Sequence, residues 1–201
     1  MPNYFTHLQF GTRVLAALPE SLRTRIEAQR AAFDAGCYGP DPLFFYDLFH
    51  NNPVRQVGLR MHKVSALPVF RRLVGIIAED RPGGAGYAAG FLCHFALDSG
   101  CHGYIEARAA GGQTSHLRME GEYDRLLMER AGIDPLRETP MPRHRLTPGE
   151  LETAALVYPG VTARQYETSL GAYRRVCRFQ TMASRIGLSG VVDAISQRTP
   201  D

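Results

Sequence analysis

Gly90-Phe-Leu-Cys-His94-Phe-Ala-Leu-Asp98-Ser-Gly-Cys-His102-Gly-Tyr-Ile105 is the stretch on which the reading of this chain turns. It spaces His94, Asp98 and His102 at intervals of four. On an α-helix four residues turn through about 400°, so each side chain lands about 40° from the last and all three share one stripe. His94 and His102 are then about 12 Å apart along the axis, too far for both imidazoles to grip one ion at about 2.1 Å. The spacing therefore gives each histidine its own metal, with the Asp98 carboxylate between them. The competing reading is a buried helix carrying a few satisfied polar residues. The remainder of the chain decides between them.

Working outward, nearly every segment reads helical. His7 to Leu18 puts Leu8, Val14, Leu15 and Leu18 on one side before Pro19 interrupts. Residues 21–35 read as one charged amphipathic helix, with Leu22, Ile26 and Phe33 inward and Gly36 as its stop. Gly39-Pro-Asp-Pro42 is a rigid loop that leads into the aromatic run Leu43-Phe-Phe-Tyr46. Asn52-Pro53 forms an N-cap and first-turn pair for a helix reaching His62. Leu67 to Glu79 follows, with Pro68 in its first turn, and Arg81-Pro-Gly-Gly84 separates it from the central stretch. Gly111-Gly112 ends the central helix, and Thr114 or Ser115 caps a helix to about Arg130. Thr147-Pro148 with Glu150 opens the next, and residues 162–186 form a long basic helix. No period-2 strand pattern of useful length and no internal repeat appears. The expectation is an all-α, single-domain, multi-helix bundle over residues 1–201, with the metal-site core in 1–130 and C-terminal helices in 131–201.

Composition agrees with a globular domain of this size: 201 residues, 44% hydrophobic and 21% charged. Net charge is only +3, so composition carries no strong nucleic-acid signal. No apolar run is long enough for a transmembrane segment. The start, Met-Pro-Asn-Tyr-Phe-Thr-His, lacks the features of a secretory signal, which makes a cytoplasmic location the expectation. The four cysteines contain no C-x-x-C pair and read as reduced thiols.

Other ligand-type residues complete the pattern. His116 and Glu120 are four apart on the helix after the Gly-Gly break and point to one face. With His102 they make two imidazoles and one carboxylate, the ligand set of a catalytic zinc that keeps an open position. Asp41 and His62, with His94 and Asp98, make a second set of two imidazoles and two carboxylates. His7 would supply a third ion together with a shared Asp98. Five of the seven histidines enter this scheme.

These residues resemble those of the zinc-dependent phospholipase C family and, more distantly, the S1/P1-type nucleases. The likeness is carried by Thr6-His7-Leu8, Gly39-Pro-Asp41, Arg60-Met-His62, the block Gly90 to Asp98, His102, and Ser115-His116 with Glu120, in one order along the chain. The resemblance implies a helical bundle of the phospholipase C/P1 nuclease type holding two to three Zn2+ ions. Asp41, His62 and His94 would hold one zinc, with Asp98 bridging to a neighbour bound by His7. His102, His116 and Glu120 would hold the remaining zinc. Asp41 and Asp98 are the implied catalytic carboxylates. Hydrolysis of a phosphodiester, in a small molecule or a phospholipid, by metal-activated water is the implied activity. A nuclease or nucleotidase on the same metals, and a non-catalytic metal-stabilised binding domain, are the alternative readings.

Three departures from the family pattern sharpen the expectation. The chain has no Trp, whereas secreted members place an N-terminal tryptophan on the zinc bound by the first-helix histidine. Met1 or Pro2 would take that place, or the third ion would be absent. The spacer between Asp98 and His102 is short, which keeps His102 on the helical stripe. Pro42 follows Asp41 and Leu59 sits one turn before His62, so an aromatic and acidic box for a choline headgroup is not expected. Other metallo-helical classes fail on spacing: there is no adjacent His-Asp pair, no Glu-x-x-His and no His-Glu-x-x-His.

Overall fold

The structure, a computed structural model, describes residues 4–110, 116–142 and 144–186. Among these the chain is all-α: helices α1 (Tyr4–Ala17), α2 (Glu20–Glu27), α3 (Arg30–Cys37), α4 (Pro53–Met61), α5 (Leu67–Ala78), α6 (Gly84–Ala109), α7 (His116–Arg130), α8 (Pro148–Ala155) and α9 (Ala163–Arg185), with a short 3₁₀ helix over Asp41–Phe45. None of the described helices is long and apolar enough to cross a membrane.

Local chemistry sets most of the boundaries. The Asn52 side chain accepts the Arg55 N–H, and Pro53, which has no N–H to leave unpaired, takes the first turn of α4. Thr147 and Glu150 close a capping box on α8, and Thr162 and Gln165 close another on α9. The single helix expected over residues 21–35 is instead two, broken at Gln29 (φ −117°, ψ 34°). The cause is tertiary. Gln29 Oε1 accepts the N–H of Gly86 at 2.8 Å, one of the first-turn donors of α6 that have no partner inside their own helix. Ile26 and Phe33 are buried as expected, but Leu22 is exposed.

Helix α6 runs through the centre and packs against α1, α2, α3, α5, α7 and α8. Its crossing with α3 is close enough to need glycine on both sides. A Cβ on Gly36 would lie 2.9 Å from Phe91 N, and one on Gly90 would lie 2.8 Å from Cys37 N. Backbone therefore meets backbone at the crossing. This brings the loop after α3, which carries Asp41, down onto the turn of α6 that carries His94.

Candidate metal centre

His7, Asp41 and His94 are all buried, and each offers a ligand atom within 4.8 Å of the other two. A second group, His62, His94 and Asp98, meets the same condition. His94 belongs to both. Five of the eight residues proposed from sequence thus converge from α1, the 3₁₀ helix, the end of α4 and α6. The grouping differs from the one the resemblance implied, because His7 joins Asp41 and His94 directly. Its ring stacks on that of His94, with centroids 4.3 Å apart and 25° between planes.

The polar atoms in this cluster fit a cation. Both ring nitrogens of His7 are buried and lack a hydrogen-bond partner, on a residue only 1% exposed. Leaving such a group unpaired costs about 1–3 kcal/mol, a penalty that coordination of an ion removes. His62 Nδ1 lies 2.9 Å from the Gly58 carbonyl and donates to it, which turns the Nε2 lone pair toward Asp41 Oδ1 at 3.2 Å. Two electron-rich atoms face each other there, so the pair requires a proton or a metal between them. A histidine ligand oriented through its other nitrogen by a backbone carbonyl is a common arrangement at metal sites. Asp98 Oδ1 is also buried without a hydrogen-bond partner.

Electrostatics keep two of these rings available as ligands. Burial pushes His7 and His94 down to about 3, so both are neutral near pH 7 with a free lone pair. His62 moves the other way. Burial opposes its charge, but the bond to Asp41 and that carboxylate's field outweigh burial and raise it.

The remaining candidates lie at the edge of this centre or beyond it. His102 lines the same pocket as His62, His94 and Asp98, one turn past Asp98, with its Nε2 3.2 Å from Glu106 Oε1. Glu120 is buried on α7. Neither joins a ligand group among the described residues. His116 opens α7, and its side chain lies outside the described part of the structure. The pocket itself has a volume of about 160 Å³. His62, His94, Asp98 and His102 line it together with the apolar side chains of Met61, Val64, Val69, Phe91 and Phe95.

Three supporting features escaped the sequence reading. Gly39 has φ +52°, and a Cβ there would lie 2.6 Å from His94 Nε2, so the position needs glycine both for its backbone and for the imidazole against it. The Gly39 carbonyl accepts the hydroxyl of Tyr158 at 2.6 Å. That uses the only Tyr158 proton, so Tyr158 accepts from Tyr87, and Tyr87 in turn accepts from Tyr166 at 3.1 Å. This buried chain of hydroxyls ties α6 and α9 to the loop in front of Asp41. Asp124 of α7 is the third: its carboxylate accepts the backbone N–H groups of Phe5 (3.0 Å) and Thr6 (2.9 Å) and the Thr6 hydroxyl, capping α1 just before His7. Its place four residues after Glu120, on the same helical face, was the available signal. His144 has an exposed ring, yet its Nδ1 lies 3.2 Å from the buried Asp34 carboxylate.

An all-helical frame enclosing overlapping groups of histidine and carboxylate ligands defines a class of helical metal-centre proteins. Within it, the description of zinc dependent phospholipase C matches residues 6–172, and the chain belongs to that family, whose members are hydrolases. No curated protein and no solved structure matches it.

Proposed function

We propose that this protein is a zinc-dependent phosphodiesterase that cleaves a phospholipid-like ester. The observation that carries the reading is the convergence of His7, Asp41, His62, His94 and Asp98 beside a pocket with apolar side chains in its lining. We assign two to three ions. His94 has one lone pair to give and would serve one ion with Asp41, His62 and Asp98; His7 would hold a second beside it through a shared carboxylate, and His102, His116 and Glu120 the third. When bound, zinc lowers the pKa of its water toward neutrality and polarises a phosphoryl oxygen.

The chain's own residues supply the rest. The Gly58 carbonyl holds the proton of His62 on Nδ1 and leaves Nε2 for the cation. Asp98, half-buried at the pocket and one helical turn from His94, would supply a carboxylate to the ion held by His62 and His94. Asp41, with Oδ1 beside His62, is the carboxylate set to accept a proton next to its ion. Met61, Val64, Phe91 and Phe95 in the pocket lining suit an apolar substituent on the phosphate better than a second charged nucleotide. In this reading the domain is single. Residues 131–186 serve the centre, since Tyr158 and Tyr166 brace the loop that carries Asp41.

The test is elemental analysis of protein purified without added metal or chelator, followed by hydrolysis assays on phospholipid, single-stranded DNA and 3′-nucleotides. Two to three zincs per chain with turnover of phospholipid supports the reading. Turnover confined to nucleic acid or nucleotides would assign the nuclease alternative. Metal without turnover, with Asp98→Asn costing only stability, would assign the binding-domain alternative.

A further inference from the structure

Helix α5, Leu-Pro-Val-Phe-Arg-Arg-Leu-Val-Gly-Ile-Ile-Ala, is apolar around its whole circumference except for Arg71 and Arg72. A helix of that composition is ordinarily covered on every side. Here only Val69, Leu73 and Ile76 are buried, a stripe that faces the core. The opposite side is open: Val74 is 65% exposed, Leu67 54%, and Ile77 is exposed as well. A Cβ on Gly75 would meet nothing within 4 Å. The apolar surface continues onto α6. Phe70 packs edge-on against Phe95 with ring centroids 5.0 Å apart, and Leu92, one turn before Phe95, is 55% exposed. It also reaches the metal centre, because Phe95 and Val64 line the pocket.

Up to the acidic pair Glu79-Asp80 that closes α5, the charge along this segment has one sign. Between Asp47 and Glu79 the chain contains no acidic residue and five basic ones, Arg55, Arg60, Lys63, Arg71 and Arg72. All but Arg55 are exposed. Arg71 rises from the exposed face of α5 itself, between Leu67 and Val74. Apolar side chains at the centre with basic groups among and beside them are the composition of a helix that lies in a lipid interface. The apolar face enters the acyl boundary while the cations meet anionic headgroups. A second copy of the chain would set these same four cations against each other across a two-fold contact, which disfavours a dimer on this face.

We propose that the exposed face of α5, extended by Val64, Leu92 and Phe95, is a docking surface for an anionic lipid bilayer that seats the mouth of the metal pocket at the interface. This goes beyond the hydrolase reading and does not depend on it, because docking is measured without turnover.

The chain has no tryptophan, so one introduced tryptophan reports on its own surroundings alone. Leu67→Trp on α5 and Leu22→Trp on α2 are both at exposed positions. With vesicles of 70% phosphatidylcholine and 30% phosphatidylglycerol, the emission of Leu67→Trp is expected to shift to the blue and that of Leu22→Trp to stay unchanged. Cosedimentation of the otherwise unaltered chain with the same vesicles should be at least tenfold tighter than with pure phosphatidylcholine. Val74→Glu, and separately Arg71→Glu with Arg72→Glu, should weaken it at least tenfold while far-UV circular dichroism and melting temperature are retained. Val74→Ser serves as the milder variant should the charge disturb folding. The proposal is overturned if the chain does not sediment with anionic vesicles, if these variants bind as the parent does, or if the face instead mediates a dimer that Val74→Glu dissociates. Loss of activity with docking retained would count against the hydrolase reading and leave the docking surface standing.

Discussion

Asp124 of α7 accepts the Thr6 backbone N–H at 2.9 Å and the Thr6 hydroxyl as well, so a residue 118 positions away caps the helix that carries His7. The contact joins two links of the fold. It satisfies donors at the start of α1 that have no partner in their own helix, and it sets the register of the buried His7 ring one residue on. Replacing Asp124 with Ala would leave two backbone donors and a hydroxyl unpaired in a buried place. The expected cost is roughly 2–4 kcal/mol, or about 5–15 °C in melting temperature for a chain of this length. Thermal melting of Asp124→Ala against the parent, with metal content measured in parallel, checks it. An unchanged melting temperature would remove Asp124 from the account of the site.

The same carboxyl makes stability depend on pH. Burial, opposed by its three hydrogen bonds, raises Asp124 from 3.8 to about 6. A group raised in the folded state holds its proton there while the unfolded chain has already lost it. Its contribution is therefore fully present below pH 3.8 and disappears as pH rises through about 6. The size is at most about 3 kcal/mol at 1.36 kcal/mol per pH unit. Asp124→Asn cannot titrate, so the difference in unfolding free energy between it and the parent should change across that window and be flat above it. Denaturant titrations at pH 4, 5, 6 and 7 measure this.

Because His94 belongs to both ligand groups and His62 to one, their substitutions should not be equivalent. His94→Ala is expected to lower the metal content by more than His62→Ala does. Removing metal with a chelator should lower the melting temperature of the parent by several degrees, since a ligand held at about 100 times its dissociation constant contributes about 2.7 kcal/mol. The same treatment should move His94→Ala much less. Equal metal contents in the two variants would contradict the place of His94 in both groups.

Gly39→Ala meets two penalties, a left-handed backbone and the His94 imidazole against its Cβ. Displacement of His94 should reduce metal content and activity together, with a stability loss of about 1–3 kcal/mol. Retention of full metal content in this variant would show that the loop relaxes without disturbing His94.

Tyr158→Phe removes one hydroxyl, which breaks the hydrogen bond to the Gly39 carbonyl and ends the chain from Tyr166 through Tyr87. The expected loss is about 1–3 kcal/mol, because the buried Gly39 carbonyl loses its donor and the Tyr87 hydroxyl loses the acceptor for its proton. Tyr166→Phe, at the far end, leaves the Tyr87 bond to Tyr158 in place and should cost less. Urea unfolding of the two variants ranks them, and the opposite order would refute the direction assigned to the chain.

What could be read from sequence is what the chain encodes locally. The i, i+4 spacing puts His94 and Asp98 on one stripe of α6, and Asn52, Thr147 and Thr162 cap α4, α8 and α9 as their side chains dictate. The all-α class and the family follow from such signals, because helical period and capping depend on residues within a turn or two of each other. The places where that reasoning failed all involve distant partners. Gln29 breaks what would have been one helix because its side chain serves Gly86. The Gly36–Gly90 contact brings the Asp41 loop onto His94, and the tyrosine chain from α6 and α9 holds it there. Which ligand meets which was decided at that crossing. His7 meets Asp41 and His94 on a helix whose start is capped by Asp124, from the opposite end of the metal-site core. The sequence by itself determined an all-α chain of the zinc-dependent phospholipase C family and named the five candidate ligands that come together. The grouping of those ligands belongs to tertiary packing, since no periodicity along the chain encodes the distance between helices that meet through glycine backbone and buried hydrogen bonds.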